Sequence, residues 1–213
     1  MKAAIVGSGF VDNYIGFADE LRKCDIIICA DGGIKHLMNV DIPPHIIVGD
    51  FDSCDFDSVL KTGILKDSEV IRHNPVKNDT DMQLCIDLAI EKGCRELVLF
   101  AALGGRVDHE LSNIFHLKYM LDNGIKGCIY SHHNRVYITN SAISIRREEG
   151  FKLSIIPLTP SAKGVTLKGL LYPLENADLS QGTSLGISNE FRDEIAEIYV
   201  EDGVLLVFVS KDN

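Results

Sequence analysis

The apolar run Leu97-Val98-Leu99-Phe100-Ala101 is followed by Leu103-Gly104-Gly105-Arg106-Val107-Asp108 and then by a helical pattern. The run predicts a buried strand, and the pattern predicts a helix from Asp108 to about Asp122 that ends before Gly124. A buried strand that leads through a short loop into a helix is the repeating unit of parallel sheets. On the apolar spacing we expect the helix to bury four side chains, those of Leu111, Ile114, Phe115 and Leu121.

The same alternation extends outward through the first two-thirds of the chain. A second helix is predicted over Thr80–Lys92, where Thr80 and Gln83 form a capping-box pattern. This order of elements predicts an α/β fold, Rossmann-like, with a mostly parallel sheet and helices on both of its faces. The other candidate strands are Ala3–Val6, Asp25–Cys29, His45–Val48, Glu69–Arg72 and Gly127–Tyr130.

The pattern changes after about residue 135, where short strands and turns replace helices. Glu201-Asp202-Gly203 is typical of a hairpin turn. We therefore predict two domains, an α/β domain over residues 1–134 and a small all-β domain, sandwich or barrel, over residues 135–213. The candidate strands of this second domain are Arg135–Arg146, Phe151–Pro157, Gly164–Leu167, Ser184–Ser188, Ile195–Val200 and Val204–Val209.

The composition restricts the class of protein. The 213 residues carry a net charge of −10, which disfavours nucleic-acid binding because that depends on basic side chains neutralising phosphates. No segment has the roughly 18 uninterrupted apolar residues of a membrane helix, and the N-terminus reads as a first strand. The six cysteines form no CxxC pair. We expect a cytoplasmic protein without a membrane or nucleic-acid partner.

Two aspartate pairs stand where strands end or helices begin. Asp50 and Asp52 follow the strand His45–Val48, and in an extended segment they face the same side. Asp79 and Asp81 stand at the start of a predicted helix, where a purely structural role at the helix dipole is the alternative. Paired carboxylates repel each other, and a hard divalent cation relieves that repulsion.

Two glycine pairs complete the pattern at the strand ends. Gly104-Gly105 precedes Arg106, and Asp31-Gly32-Gly33 follows another strand. Such loops let a backbone approach a phosphate, although Asp108 can also serve simply as a helix N-cap. Ligands of open parallel sheets bind at the carboxyl ends of the strands. Oxygen ligands favour magnesium over zinc, so the combination predicts a magnesium–nucleotide site.

Five ordered blocks together resemble the thiamine pyrophosphokinase family, and the resemblance covers nearly the whole chain. Four lie in the first domain and one, after a matching Gly169–Pro173 stretch, lies in the second. The blocks are Ala30-Asp31-Gly32-Gly33, Gly49-Asp50-Phe51-Asp52-Ser53, Lys77-Asn78-Asp79-Thr80-Asp81, Gly104-Gly105-Arg106-Val107-Asp108-His109 and Gly182-Thr183-Ser184-Leu185-Gly186-Ile187-Ser188-Asn189-Glu190.

The resemblance implies an N-terminal nucleotide domain, a C-terminal β-sandwich and a homodimer with active sites between subunits. The implied reaction transfers the terminal diphosphoryl group of ATP to the thiamine hydroxyl and releases AMP, with Mg²⁺ as cofactor. The implied magnesium-site acids are Asp50, Asp52, Asp79, Asp81 and Asp108, with Arg106 assisting catalysis. The implied nucleotide-binding residues are Asp31, Gly32, Gly33, Gly104, Gly105 and Arg106, and the implied thiamine-binding residues are Ser188 and Asn189.

One departure from the family and two other functions stay open at this point. Some relatives place a tryptophan against thiamine, and this chain has none. Phe191, a tyrosine such as Tyr172, or an apolar or hydrogen-bonded pocket are the alternatives. A diphosphokinase acting on a pterin alcohol would have a similar nucleotide half, and a non-catalytic thiamine or nucleotide sensor could retain the fold.

Overall fold

The computed structural model describes residues 1–51, 56–72 and 79–212 of the chain. Contacts divide these residues into two compact units, Met1–His132 and His133–Asn213. Among the described residues, no helix combines the length and the apolar character needed to cross a membrane.

The first unit is built on six parallel strands in the order β4-β3-β2-β1-β5-β6. Every link between neighbouring strands is therefore a crossover rather than a hairpin, as the alternation of strands and helices predicts. The predicted strand positions are correct to within one residue at each end. The strands are β1 Lys2–Val6, β2 Ile26–Ala30, β3 Ile46–Gly49, β4 Glu69–Arg72, β5 Glu96–Phe100 and β6 Lys126–Tyr130.

Helices cover both faces of this sheet, so the predicted α/β class is confirmed. One face carries α1, α2 and α3, whose Phe17, Leu37 and Phe56 share one core cluster with alternate strand residues. The other face carries α4, which contacts β1, β2 and β3, and α5, which contacts β6 and α4. The helices are α1 Tyr14–Leu21, α2 Ile34–Val40, α3 Phe56–Thr62, α4 Asp81–Glu91 and α5 Val107–Asp122, with a 3₁₀ turn at Asp31–Gly33.

The burial of α5 differs from the expectation. Leu117 and Met120 are its buried residues, whereas Leu111 and Phe115 are each 50% exposed. The helix has two apolar stripes, and its packing against β6 and α4 buries only one of them. Apolar spacing alone does not distinguish the two stripes, because the choice depends on which neighbouring elements lie beside the helix.

The second unit contains two antiparallel sheets, in the orders β7-β13-β9 and β11-β10-β12-β8. Leu153 and Val207 from the first sheet share one core cluster with Val165 and Ile198 from the second. The unit is therefore a β-sandwich. Its strands are β7 Asn134–Thr139, β8 Ala142–Arg146, β9 Lys152–Pro157, β10 Ser161–Lys168, β11 Leu174–Ser180, β12 Ile195–Tyr199 and β13 Leu205–Ser210.

Three predictions for this unit were wrong in detail. The segment Arg135–Arg146 forms two strands in different sheets, and the mainly polar strand β11 was missed because it lacks an apolar alternation. The segment Ser184–Ser188 forms turns rather than a strand. Gly203 has the expected positive φ of 95°, but its turn joins two sheets instead of closing a hairpin.

Candidate active site

The predicted acidic residues that the structure describes in the first unit stand beyond the carboxyl ends of its strands. Asp31 follows β2, Asp50 follows β3, and the loop before Asp108 follows β5. Asp79 and Asp81 lie between β4 and the first turn of α4. Because all six strands are parallel, these loops belong to the same edge of the sheet. The structure therefore brings to one edge residues that are up to 77 positions apart in sequence (Asp31 to Asp108).

Asp31 is a buried acidic residue at this edge, only 9% exposed. Its Oδ1 accepts a hydrogen bond from the backbone N–H of Phe51 at 3.2 Å. A Cβ atom at Gly49 would lie 2.9 Å from both Cβ and Oδ1 of Asp31, so only glycine fits at the end of β3. Asp31 therefore holds the segment that carries Asp50.

An aromatic cluster also contacts the segment that carries Asp50. The rings of Phe51 and Phe56 stack with centroids 4.0 Å apart. The guanidinium carbon of Arg72, at the end of β4, lies 5.2 Å from the Phe51 ring centroid and 5.0 Å from that of Phe56. Cation–π contact of this kind places a positive charge at the edge that carries the carboxylates. Sequence reasoning missed Arg72, and predicted Asp52 lies outside the described residues.

Asp79 and Asp81 flank the N-cap of α4. The Thr80 hydroxyl accepts a hydrogen bond from the Gln83 backbone N–H at 3.2 Å, which confirms Thr80 as the N-cap. The Gln83 side chain donates to Asp87 Oδ1 at 2.9 Å, so the return bond of the predicted capping box is replaced by a contact within the helix. Asp81 is the first residue of the helix, where a negative charge interacts favourably with the helix dipole. That structural benefit is compatible with binding a cation.

The Gly32-Gly33 pair belongs to the 3₁₀ turn that precedes α2. A Cβ at Gly33 would lie 2.3 Å from the carbonyl oxygen of Val6. Gly33 therefore allows the start of α2 to approach the end of β1. This close contact is a packing reason for the second glycine, separate from any ligand.

The loop after β1 is held by a buried histidine that sequence reasoning missed. His36 on α2 is 4% exposed, and its Nε2 lies 2.8 Å from the carbonyl oxygen of Gly9. Its Nδ1 lies 2.9 Å from the Tyr14 hydroxyl, which also accepts a hydrogen bond from the Asn39 amide. These partners assign the proton to Nε2, which donates to Gly9, while Nδ1 accepts from Tyr14. Burial lowers the pKa of His36 and so favours this neutral form.

The Gly104-Gly105 loop donates its N–H groups to a carboxylate of the same chain. Glu110 Oε1 accepts from the Gly104 nitrogen at 3.0 Å and from the Gly105 nitrogen at 2.7 Å. The Asn113 amide donates to the Ala102 carbonyl oxygen at 2.8 Å. Glu110 and Asn113, both on α5, are thus contacts of the loop that were missed. The weak sequence signal for them was their spacing, one and two turns into the helix after the glycines.

Arg106 and Asp108 form a two-point ion pair at the start of α5. Arg106 Nε lies 3.2 Å from Asp108 Oδ1, and Nη2 lies 2.6 Å from Oδ2. Hydrogen bonding to Arg106 lowers the pKa of Asp108, and the same bond raises the pKa of Arg106. Asp108 is the second residue of the helix, which has Arg106 at its N-cap, so the alternative of Asp108 as N-cap was wrong.

Within the described ranges, no three or more His, Cys, Asp or Glu side chains already converge as a metal centre. The donor set at the strand edge nevertheless fits magnesium. Asp50, Asp79, Asp81 and Asp108 offer only carboxylate oxygens, the ligands of a hard cation. None of these positions offers a thiolate or imidazole, the donors that favour zinc or copper.

In the second unit, Ser188 and Asn189 differ in exposure and in partners. Ser188 is exposed with φ of 56°, and its N–H donates to the Ser154 hydroxyl at 2.9 Å. Asn189 is 3% exposed. Its Oδ1 accepts from the backbone N–H groups of Tyr172 and Glu190, each at 3.0 Å, and its Nδ2 donates to the Tyr172 carbonyl oxygen at 2.7 Å. The Asn189 amide therefore holds two segments of backbone together beside Ser188.

Comparison with known proteins places this geometry in a family. The family model for the thiamin pyrophosphokinase catalytic domain matches residues 17–129, and that for the thiamin pyrophosphokinase vitamin B1 binding domain matches residues 140–205. Thiamine pyrophosphokinase of Bacillus subtilis (strain 168) is 29% identical over 219 residues, which cover 100% of both chains.

Solved structures agree with the sequence relatives. The crystal structure of thiamine pyrophosphokinase from Bacillus subtilis superimposes with a TM-score of 0.88 at 27% identity and covers 100% of both chains. That of thiamin pyrophosphokinase from Geobacillus thermodenitrificans gives 0.85 at 29% identity and covers 100% of this chain and 99% of that one. On its two matching domains and its fold, the chain belongs to the thiamin pyrophosphokinase family, whose members are diphosphotransferase enzymes.

Proposed function

We propose that this enzyme transfers the diphosphoryl group of ATP to the hydroxyl of thiamine and releases AMP, with Mg²⁺ as the metal. The observation that carries the proposal is the match to both family domains, in order, in one chain. The acidic and basic groups at the carboxyl edge of the parallel sheet are of the kinds that bind a metal ion and phosphates, which this reaction requires. A diphosphokinase for a pterin alcohol and a non-catalytic sensor are not favoured, since the relatives are thiamine pyrophosphokinases.

In this proposal the carboxylates at the sheet edge hold Mg²⁺, which neutralises the charge of the phosphates. Asp50, Asp79, Asp81 and Asp108 supply oxygen ligands, as does Asp52 by the family resemblance. One of these carboxylates accepts the proton of the thiamine hydroxyl as its oxygen attacks the β-phosphorus. The bond between the α–β bridging oxygen and the β-phosphorus breaks, and AMP leaves with that oxygen. Positioning and charge neutralisation account for most catalysis of such transfers.

The Arg106–Asp108 pair rearranges when the substrate binds. Both side chains are exposed, at 73% and 64%, so water already screens their attraction. A phosphate can replace Asp108 as the partner of Arg106, and a cation can replace Arg106 as the partner of Asp108. The exchange keeps every charge paired.

We assign nucleotide binding to the segment 1–134 and thiamine binding and dimerisation to 135–213. Asp31, Gly32, Gly33, Gly104 and Gly105 contribute to the nucleotide site as residues that shape its loops, with Arg106 in contact with phosphate. Ser188 is the proposed contact to the pyrimidine, because it is exposed. Asn189 supports this contact by fixing the backbone around it. We further propose a cytoplasmic homodimer.

The first test is a product assay with purified protein, ATP, Mg²⁺ and thiamine. We expect AMP and thiamine diphosphate in equal amounts, and we expect EDTA to abolish both. AMP formation with a pterin alcohol alone would overturn the thiamine assignment. Thiamine binding without any turnover would indicate the sensor instead.

A matched pair of variants tests the role of the carboxylates. Asp108→Asn is expected to lower turnover by about a hundredfold, typical of removing one group that stabilises transition-state charge. Asp122→Asn is the control, because Asp122 ends the same helix and forms an ion pair with Lys118, away from the sheet edge that carries Asp108. Equal activity of the two variants would exclude Asp108 from the metal site.

A further inference from the structure

The N–H pair of Gly104 and Gly105 already holds an anion, the carboxylate of Glu110. One oxygen, Oε1, accepts both hydrogen bonds, at 3.0 and 2.7 Å. Hydrogen bonds to an ionised acceptor are roughly twice as strong as those between neutral groups. Glu110 also lies in the first turn of α5, where its charge interacts favourably with the helix dipole. The N–H groups of this loop, which resembles a phosphate-binding loop, are thus hydrogen bonded to a side chain of the same protein.

The same loop is fixed at two other points. The Phe10 backbone N–H donates to the Leu103 carbonyl oxygen at 2.8 Å, and Asn113 holds the carbonyl of Ala102. Gly104 has φ of 83°, and a Cβ there would lie 2.5 Å from Cβ of Phe10. With Glu110 added, three consecutive residues of the loop and the one before them are all hydrogen bonded. Arg106 is the next residue, and its position depends on this arrangement.

We infer that Glu110 is a positioning residue for the proposed diphosphoryl transfer, holding the Gly104-Gly105 N–H pair throughout the reaction and thereby orienting Arg106 and Asp108. The inference rests on the proposed function, because its kinetic test measures the proposed diphosphoryl transfer. It assigns phosphate recognition at this loop to the Arg106 guanidinium and not to the backbone of the glycines. In the competing arrangement, the phosphate displaces Glu110 from the glycines. Removing the carboxylate would then tighten binding of the nucleotide instead of weakening it.

Glu110→Gln and Glu110→Ala separate these arrangements. The amide oxygen of glutamine can accept the same two hydrogen bonds, whereas alanine removes the acceptor. We expect Glu110→Gln to keep kcat within about threefold of wild type, and Glu110→Ala to lower kcat about tenfold and to weaken binding of α,β-methylene ATP with Mg²⁺. Glu91→Ala, an exposed glutamate at the end of α4, is the control and is expected to match wild type.

Hydrogen exchange of the Gly104 and Gly105 amides, followed by NMR on glycine-labelled protein, gives a readout independent of turnover. We expect protection in wild type and Glu110→Gln, with and without the nucleotide analogue, and loss of protection in Glu110→Ala. Tighter analogue binding by Glu110→Ala would overturn the inference, as would a loss of activity in a Glu110→Gln variant that keeps protected amides. If Glu110→Ala does not fold by circular dichroism, Glu110→Gln still tests the inference, because loss of activity with protected amides in that variant overturns it. A wild type without turnover would refute the proposed function and leave the amide test valid.

Discussion

Asp31 Oδ1 accepts a hydrogen bond from the backbone N–H of Phe51 at 3.2 Å, so a residue after β2 holds the residue that follows Asp50 after β3. Both ends of this bond are buried, with Asp31 9% and Phe51 7% exposed. Asp31 has φ of 39°, a conformation that aspartate and asparagine adopt more readily than other non-glycine residues. The Asp-Gly-Gly motif therefore contains a residue that shapes the acidic site as well as the nucleotide loop.

Asp31→Ala is expected to destabilise the protein by about 1 to 3 kcal/mol, the usual cost of leaving a buried backbone donor without its acceptor. Asp31→Asn is the control, because its amide oxygen can accept the same bond and it tolerates the same φ, so we expect a smaller loss. Urea unfolding followed by circular dichroism measures both. Equal losses in the two variants would mean that the charge of Asp31, and not its hydrogen bond, is what matters.

Gly33 and Gly105, one from each glycine pair, are expected to respond differently to alanine. Gly33→Ala places a Cβ 2.3 Å from the Val6 carbonyl oxygen, which the backbone must relieve by moving. Overpacking of this kind costs about 1 to 3 kcal/mol. Gly105→Ala has no atom within 4 Å of its new Cβ, and we expect unfolding free energy equal to or slightly above wild type. Thermal unfolding compares them, and a Gly105→Ala variant as unstable as Gly33→Ala would contradict the structure.

The stability of the first unit should fall at mildly acidic pH because of His36. Burial lowers the pKa of His36 in the folded protein, so below the ordinary value of 6.5 the unfolded chain binds the proton more readily. The stabilisation is therefore complete above pH 6.5 and decreases as the pH falls from 6.5 towards the lowered pKa. Burial lowers the pKa of His116 as well, which adds to the effect in the same direction.

His36→Gln removes this titration and is expected to flatten the decline of unfolding free energy between pH 7 and pH 5. His109→Gln is the control, since His109 is exposed and outside the buried network. Denaturant unfolding at a series of pH values measures the slopes. An unchanged slope in His36→Gln would show that the Gly9–His36–Tyr14 hydrogen bonds also form around a charged ring.

Asn189→Ala is expected to destabilise the second unit by about 1 to 3 kcal/mol in total, because it leaves three partly buried backbone groups without their partner. Those groups are the N–H of Tyr172 and Glu190 and the carbonyl of Tyr172. Ser188→Ala is the control, because its exposed side chain should matter for thiamine binding more than for stability. Calorimetric thiamine titrations and thermal unfolding distinguish the two residues. A stable Asn189→Ala variant would leave direct ligand contact as its role.

Local patterns were sufficient for much of the fold. The strands β1, β2, β3 and β5 were predictable because buried parallel strands are short apolar runs, and α4 was predictable from its cap and its spacing. The strand β11 was not, because its sequence LENADLS has no alternation. Its place at the edge of a sheet allows such a polar sequence, and edge position is not a local property.

For the candidate site, too, the positions of residues were predictable from the sequence and their contacts were not. The predicted positions of Asp31, Asp50, Asp79 and Asp108 at strand ends or helix starts are confirmed, because residues adjacent to a strand or helix are specified locally. The partners of those residues were not predictable. Asp31 bonds to Phe51, 20 positions away, and His36 bonds to Gly9, 27 positions away. Such pairs depend on which strands lie side by side.

The sequence by itself determined the type and order of the elements, the acidic character of one sheet edge and the family to which the chain belongs. These depend on residues near one another in the chain or on ordered motifs. Only the tertiary structure decided the strand order β4-β3-β2-β1-β5-β6, the stripe of α5 that is buried, and the commitment of the Gly104 and Gly105 N–H groups to Glu110. The physical reason is that hydrogen bonds and burial depend on which atoms the assembled sheet brings within reach.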